Sequence, residues 1–395
     1  MNRQDTSMPR RAFLKVVAAA GLGSILPVSA EALTSKVPVR PFGKTGVNVP
    51  ILSLGGMFNI MNNQLMLRRC VDWGVTYWDT ADCYEGGRSE PGFGRFFERE
   101  PALRKEIFLV TKSCARDIPG MTSLFERSLE RLKTDYIDLY FIHGIGGIDE
   151  ITPEMKTWVA ARKKEGRLRL FGFSTHRRME DCLQGAARLG WIDGIMFTYN
   201  YRLMHKDEMK RAVDACEKAG IGLTAMKTQG GGSVKADSEK ERKLAGHFLE
   251  RGFTPEQAKL KAVWANSQIA CICSQMPNMK ILNANIAAAL DRTELAATDL
   301  EALDQHARAT TGDYCAGCSN RCAAVAGGAP ISDVMRCLMY HHSYGDPALA
   351  RAEFARLPAS ARSRLATLDV AATETACPNH LPIGHLVAEA RRLLA

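Results

Sequence analysis

Short, mostly apolar runs separated by stretches of helical period recur along most of this chain. The runs fall at 49–54, 76–79, 107–112, 137–142, 168–174, 194–198, 222–226 and 270–274. Segments such as IFLV and LYFI are apolar at successive rather than alternate positions, as a strand covered on both faces must be. Between them, 65–73, 124–132, 153–164, 179–189, 207–219 and 255–266 carry apolar residues at helical spacing. Pro153 and Pro255 stand where a first helical turn accepts proline, and Gly74, Gly166, Gly190 and Gly220 stand where helices should stop. Eight strands alternating with helices predict an α/β fold, a (β/α)8 TIM barrel over residues 33–300, entered through a hairpin within 38–54.

The pattern changes after Leu303. Residues 313–328, DYCAGCSNRCAAVAGG, are rich in cysteine and small residues, and helical stretches follow. Residues 301–395 therefore read as a small, mainly helical C-terminal module. At the other end, Arg10-Arg11, then Ala-Phe-Leu-Lys15, an apolar stretch over 16–26 and Ala30-Glu31-Ala32 follow the order of a twin-arginine export signal over 1–32. That stretch is shorter than the roughly 20 apolar residues that span a bilayer. The expected partner is the twin-arginine export machinery and the expected compartment the periplasm.

Composition narrows the functional classes. Of 395 residues, 46% are hydrophobic and 24% charged, as in an ordinary globular protein. The net charge of +9 is scattered, with no basic run interleaved with aromatics, so nucleic acid is not an expected partner. Of the cysteines, Cys70, Cys83, Cys114, Cys182, Cys216, Cys271 and Cys273 lie singly or within apolar runs and are expected as buried free thiols.

The candidate chemistry sits at strand ends. Asp79 and Tyr84 share YWDTADCYEGGRSE, Lys112 ends IFLVTK, and His143 ends YIDLYFIH. An α/β barrel places its catalytic groups at such positions. A lysine beside a phenol favours the phenolate and lowers its pKa, a carboxylate holds the lysine, and a neutral histidine orients a carbonyl oxygen. Tyr84 would then protonate the alkoxide that forms as hydride arrives on carbon.

These segments, with FGKTGVNVPILSLGG, GRLRLFGFST, Tyr199-Asn200 and Asn285, resemble the aldo/keto reductase family over roughly 38–290. The resemblance implies a barrel that binds a nicotinamide cofactor, NAD(P), and a small-molecule carbonyl or alcohol substrate. It places the catalytic tetrad on Asp79, Tyr84, Lys112 and His143, and cofactor contacts on Gly55, Ser174, Thr175, Met226, Lys227 and Asn285. Thr175 stands where the family has Asn, Met196 where it has Gln, and Met226 where an aromatic stacks on the nicotinamide. Gln275, Met276 and Ile281 replace the Lys, Ser and Arg of the 2′-phosphate site, which removes the electrostatic basis for NADP selectivity.

Cys315-x2-Cys318-x3-Cys322 and Cys377-Pro378 resemble the ferredoxin-type extension of some aldo/keto reductases. Thiolates so spaced fit zinc or an iron–sulfur cluster, and the Cys-Pro ending favours the cluster. One 4Fe–4S cluster on Cys315, Cys318, Cys322 and Cys377 is the expectation, with zinc, disulfides or free thiols as alternatives. A cluster would admit an external electron carrier as a partner. Two other functions stay open: a non-enzymatic redox-sensing or accessory barrel, and a non-redox acid/base enzyme acting on a carbohydrate.

Overall fold

A computed structural model describes residues 36–235 and 237–395. The export signal expected over 1–32 lies outside these described residues. Strands β1 (Val39–Pro41) and β2 (Asn48–Pro50) form an antiparallel hairpin. Then β3 (Leu52–Gly55), β4 (Tyr77–Asp79), β5 (Phe108–Ser113), β6 (Ile137–Ile145), β7 (Leu168–Thr175), β8 (Gly194–Thr198), β9 (Gly222–Met226) and β10 (Cys271–Gln275) form one closed parallel barrel. β10 pairs back onto β3, which closes the ring. The apolar run at 49–54 splits between hairpin and barrel around Pro50, whose missing N–H cannot extend a ladder.

Helices Pro153–Lys164, Met179–Leu189 and Asp207–Ala219 occupy the spans their periodicity predicts. Helix Ile118–Leu132 begins well before its periodic apolar stretch. There Asp117 accepts a hydrogen bond from Gly120 N and a proline stands in the first turn, so capping sets the start.

Alternation along each strand sorts the side chains. Tyr77, Phe108, Val110, Leu139, Phe141, Leu170, Met196 and Cys271 fill the barrel interior, while Trp78, Leu109, Tyr140 and Phe171 pack outward against the helices. Phe42, carried in by the hairpin, plugs the floor. A Cβ on Gly222 or Gly194 would come within 2.4 or 2.7 Å of its ring, so only glycine lets it seat. With the floor closed, the open end of the barrel is the end where the strands finish.

Beyond β10 the described residues form helices and turns and no strand, so a ferredoxin-type fold for this segment finds no support. Helix Ala297–Ala309 crosses the expected boundary at residue 300 and packs through Leu303 against Tyr201, Phe248 and Phe253 on the barrel side. The later helices gather their own core around Val334, Leu338, Phe354 and Leu386, with Met57 of the barrel packed against it.

Candidate active site

Period-two alternation decides what faces the barrel mouth. Asp79 follows Tyr77 by two residues, Lys112 follows Val110, and His143 follows Phe141, so all three extend the inward-facing rows to the strand ends. Tyr84 arrives on a tight turn, Tyr84–Gly87, in which Glu85 (φ 55°) and Gly86 (φ 64°) are left-handed. A non-glycine residue in that region is strained, and such strain gathers at functional sites.

Lys112 Nζ joins the group. It lies 2.7 Å from Asp79, donates to Thr80 O at 2.7 Å and to the Tyr84 hydroxyl at 3.2 Å. Lys112 and Asp79 are 1% and 2% exposed, so the pair is shielded from water. The His143 ring meets the Tyr84 ring edge-on, with centroids 5.5 Å apart. Burial, then the positive charge of Lys112, pushes the His143 pKa well down and keeps the imidazole neutral. The phenol behaves differently from the sequence expectation. Burial pushes the Tyr84 pKa well up, and the nearby Asp79 carboxylate adds to that rise. Lys112 is already paired with Asp79, so its net pull on the phenol is small, and Tyr84 keeps its proton at neutral pH.

Several of the expected cofactor contacts are already hydrogen-bonded within the protein. Ser174 Oγ faces in but accepts from Gly144 N at 2.9 Å. Thr175 has the outward parity, is fully buried, and donates to Ile145 O. Asn285 Nδ2 donates to Ser274 Oγ, and the space a side chain would take over Gly55 is held by Cys273 Sγ. At the end expected for the 2′-phosphate, Gln275 donates to Met57 O and Met276 is buried. Met226 ends β9, and Lys227 beyond it (φ 55°) donates to Tyr340 Oη of helix Ile331–His342 at 3.0 Å. That helix lies over the mouth. Between it and His176, Thr198 and Lys227 remains a cavity of about 40 Å³, against the roughly 300 Å³ at which small-molecule pockets begin. As packed, this cavity alone is smaller than a nicotinamide cofactor.

His176 and Arg177 are likewise engaged. His176 Nδ1 is 3.0 Å from Thr198 Oγ1, and Arg177 pairs with Asp333 of the covering helix at 2.9 Å.

The iron–sulfur expectation is corrected. Cys315, Cys318, Cys322 and Cys377 line one cavity of about 20 Å³, which holds about a single water rather than a four-iron cluster. Among the described residues the one set gathered to metal-ligating distance is elsewhere: Asp82, Cys83, Cys114 and His143, with ligand atoms all within 4.8 Å of one another. Without a cluster, an external electron carrier loses its basis as a partner.

Cys83 and Cys114 were expected as buried thiols. Both are free, as are all the described cysteines, but Cys83 is half-buried and Cys114 exposed. Their signal in the sequence was adjacency: Cys83 precedes Tyr84, and Cys114 follows Lys112 by two residues. Tyr340 and Arg336 gave no comparable signal, because their approach to the mouth depends on how the tail folds back.

The Aldo/keto reductase family pattern matches residues 54–308. Aldo-keto reductase yakc (NADP(+)) of Schizosaccharomyces pombe is 35% identical over 153 residues, 35% of this chain and 42% of that protein. Glyoxal reductase of Bacillus subtilis is 32% identical over 189 residues, 46% of this chain and 63% of its own. L-glyceraldehyde 3-phosphate reductase of Escherichia coli is 30% identical over 214 residues, 47% of this chain and 60% of its own. The matches thus span less than two thirds of each relative. The fold resembles a holo-form aldo-keto reductase from Bacillus halodurans, with a TM-score of 0.58 at 21% identity over 68% of this chain and 96% of that one. With the pattern running through a closed eight-strand barrel, the chain belongs to the aldo/keto reductase family.

Proposed function

We propose that this chain interconverts a carbonyl and an alcohol on a small substrate, with Tyr84 giving its proton to the developing alkoxide and recovering it in reverse. The observation that carries this reading is Lys112 Nζ, which reaches both Asp79 (2.7 Å) and the Tyr84 hydroxyl (3.2 Å) at the barrel mouth. Family membership supports the general reaction, NAD(P)-dependent oxidoreduction at a carbonyl or alcohol. The chain's own residues supply the proton half. Tyr84 is the acid, Lys112 steadies the negative charge that develops on it, Asp79 holds Lys112, and neutral His143 orients the substrate oxygen.

The test is consumption of NADH or NADPH by the full-length chain with short aldehydes. The relatives named glyoxal reductase and L-glyceraldehyde 3-phosphate reductase supply the first substrates to try. Tyr84→Phe is expected to lower turnover by about 10²–10⁴-fold; an unchanged rate would sink the reading. The covered mouth favours one rival, an accessory barrel without turnover. Inactivity of the unaltered chain with either nucleotide and every aldehyde would select it.

A further inference from the structure

We propose that Cys83, Cys114, His143 and Asp82 bind one zinc ion beside the barrel mouth, through two thiolates, the imidazole Nδ1 and a carboxylate oxygen. The distances argue first. Cys83 Sγ and Cys114 Sγ are 3.5 Å apart, and each is 3.6 Å from His143 Nδ1. Zinc binds thiolate sulfur at about 2.3 Å and imidazole nitrogen at about 2.0–2.1 Å, which sets tetrahedral edges of roughly 3.8 Å between sulfurs and roughly 3.5 Å between sulfur and nitrogen. The three atoms already outline one face of such a tetrahedron. A disulfide would hold the sulfurs at about 2.05 Å, so the pair is not one.

The fourth ligand argues independently. Asp82 is 6% exposed, and its Oδ1 is buried with no hydrogen-bond partner among the described residues. Among the described residues, its other oxygen is met only by Arg127 Nη2, at 3.5 Å. A buried carboxylate oxygen without a donor is costly, and a cation at this spot satisfies it. Each ligand is held from its backbone by the barrel: Cys83 follows β4, Cys114 follows β5 and His143 lies in β6, so three adjacent strands deliver the set.

Charge also fits. Two thiolates and a carboxylate exceed the charge of zinc by one. Arg127, whose Nη2 lies 3.5 Å from Asp82 Oδ2, supplies the balance, and Arg116 donates to His143 O at 2.7 Å and to Cys114 O at 3.2 Å. Arg356 donates to Cys83 O at 2.5 Å. Thiolate with imidazole and one carboxylate is a donor set suited to zinc rather than to magnesium or calcium. Cys114 is exposed, which gives the ion a way in.

One consequence rests on the carbonyl reading above. Metal on Nδ1 places the proton of a neutral His143 on Nε2, so that the nitrogen left for a substrate is a hydrogen-bond donor. The ion would thereby set the tautomer of His143 and act as a positioning element rather than as a reacting centre.

Zinc content and turnover are separate readouts, so the site and the carbonyl reading can fail separately. The full-length chain, purified without chelators after growth with zinc, should retain about one equivalent on dialysis. Cys83→Ser and Cys114→Ser should each lose it with the far-ultraviolet spectrum unchanged. A chain with Cys315, Cys318, Cys322 and Cys377 all changed to serine should keep it. Cobalt added to the unaltered, metal-stripped chain needs no variant: it should give the intense near-ultraviolet thiolate-to-cobalt band of a tetrahedral site. Absence of that band, a Cys83–Cys114 disulfide in the peptide map, or zinc that leaves with the tail cysteines instead would each overturn the proposal.

Discussion

At the scale of single residues, the balance between burial and charge decides the chemistry. Lys112 next to Tyr84 suggests a lowered phenol pKa, and that is how the residues read in isolation. In place, the loss of water around the phenol outweighs the lysine, whose charge is already spent on Asp79, and the phenol rises instead. A protonated Tyr84 is the form that can give a proton to an alkoxide, so the shift suits the proposed donor role. The same burial makes the ion pair vulnerable. Lys112→Met would leave the Asp79 carboxylate, 2% exposed, without its cation. Removing one member of a buried pair costs about 3–5 kcal/mol. Denaturant unfolding of Lys112→Met should show a loss of that order, and Lys112→Met combined with Asp79→Asn should recover a good part of it. A double variant no more stable than the single one would mean that Asp79 is not the group left stranded.

At the scale of elements, the helix Ile331–His342 is what separates this barrel from an open one. It places Tyr340 and Arg336 over Lys227, with the lysine 4.5 Å from the Tyr340 ring centre and 5.4 Å from that of Tyr344. Burial, helped by the Arg336 charge, pushes Lys227 down to about 7, while Glu353, Cys273 and Cys337 pull weakly the other way. Between about 7 and the ordinary 10.5, the unfolded chain holds a proton on this lysine that the folded chain does not. Stability therefore rises with pH across that window, and below about 7 both states are charged and the full penalty stands. Thiols that ionise in the unfolded chain act oppositely, so the difference between two curves is the useful quantity. Subtracting the melting curve of Lys227→Met from that of the unaltered chain should leave a contribution that grows from neutral to alkaline pH. A flat difference would mean that the lysine is charged in both states.

At the scale of the whole molecule, what could be read beforehand depended on how local the cause was. The eight barrel strands and helices such as Met179–Leu189 were legible because burial on both faces and helical period are written into adjacent residues. Asp79, Lys112 and His143 were legible because strand-end position and parity follow from the same pattern. The pairing of Cys83 with Cys114 was not, since it requires knowing that β4, β5 and β6 lie side by side. Nor was the cover over the mouth, which joins residues more than a hundred positions apart. The tail has its own apolar core, with Met57 and Val234 of the barrel packed against it, and its docking also uses a seam of polar contacts. Arg177 pairs with Asp333 at 2.9 Å, Asn200 donates to the Tyr314 hydroxyl at 3.0 Å, and Ser233 donates to Met335 O at 2.9 Å. A seam of this kind can loosen without either core unfolding, because local openings follow cooperative units. In Arg177→Ala, amide exchange in helix Ile331–His342 should quicken while β5 and β6 keep their protection. Asp333→Asn should do the same, and combining the two should add little, since they share one bond. Equal acceleration in helix and strands would show instead that barrel and tail unfold as a single unit.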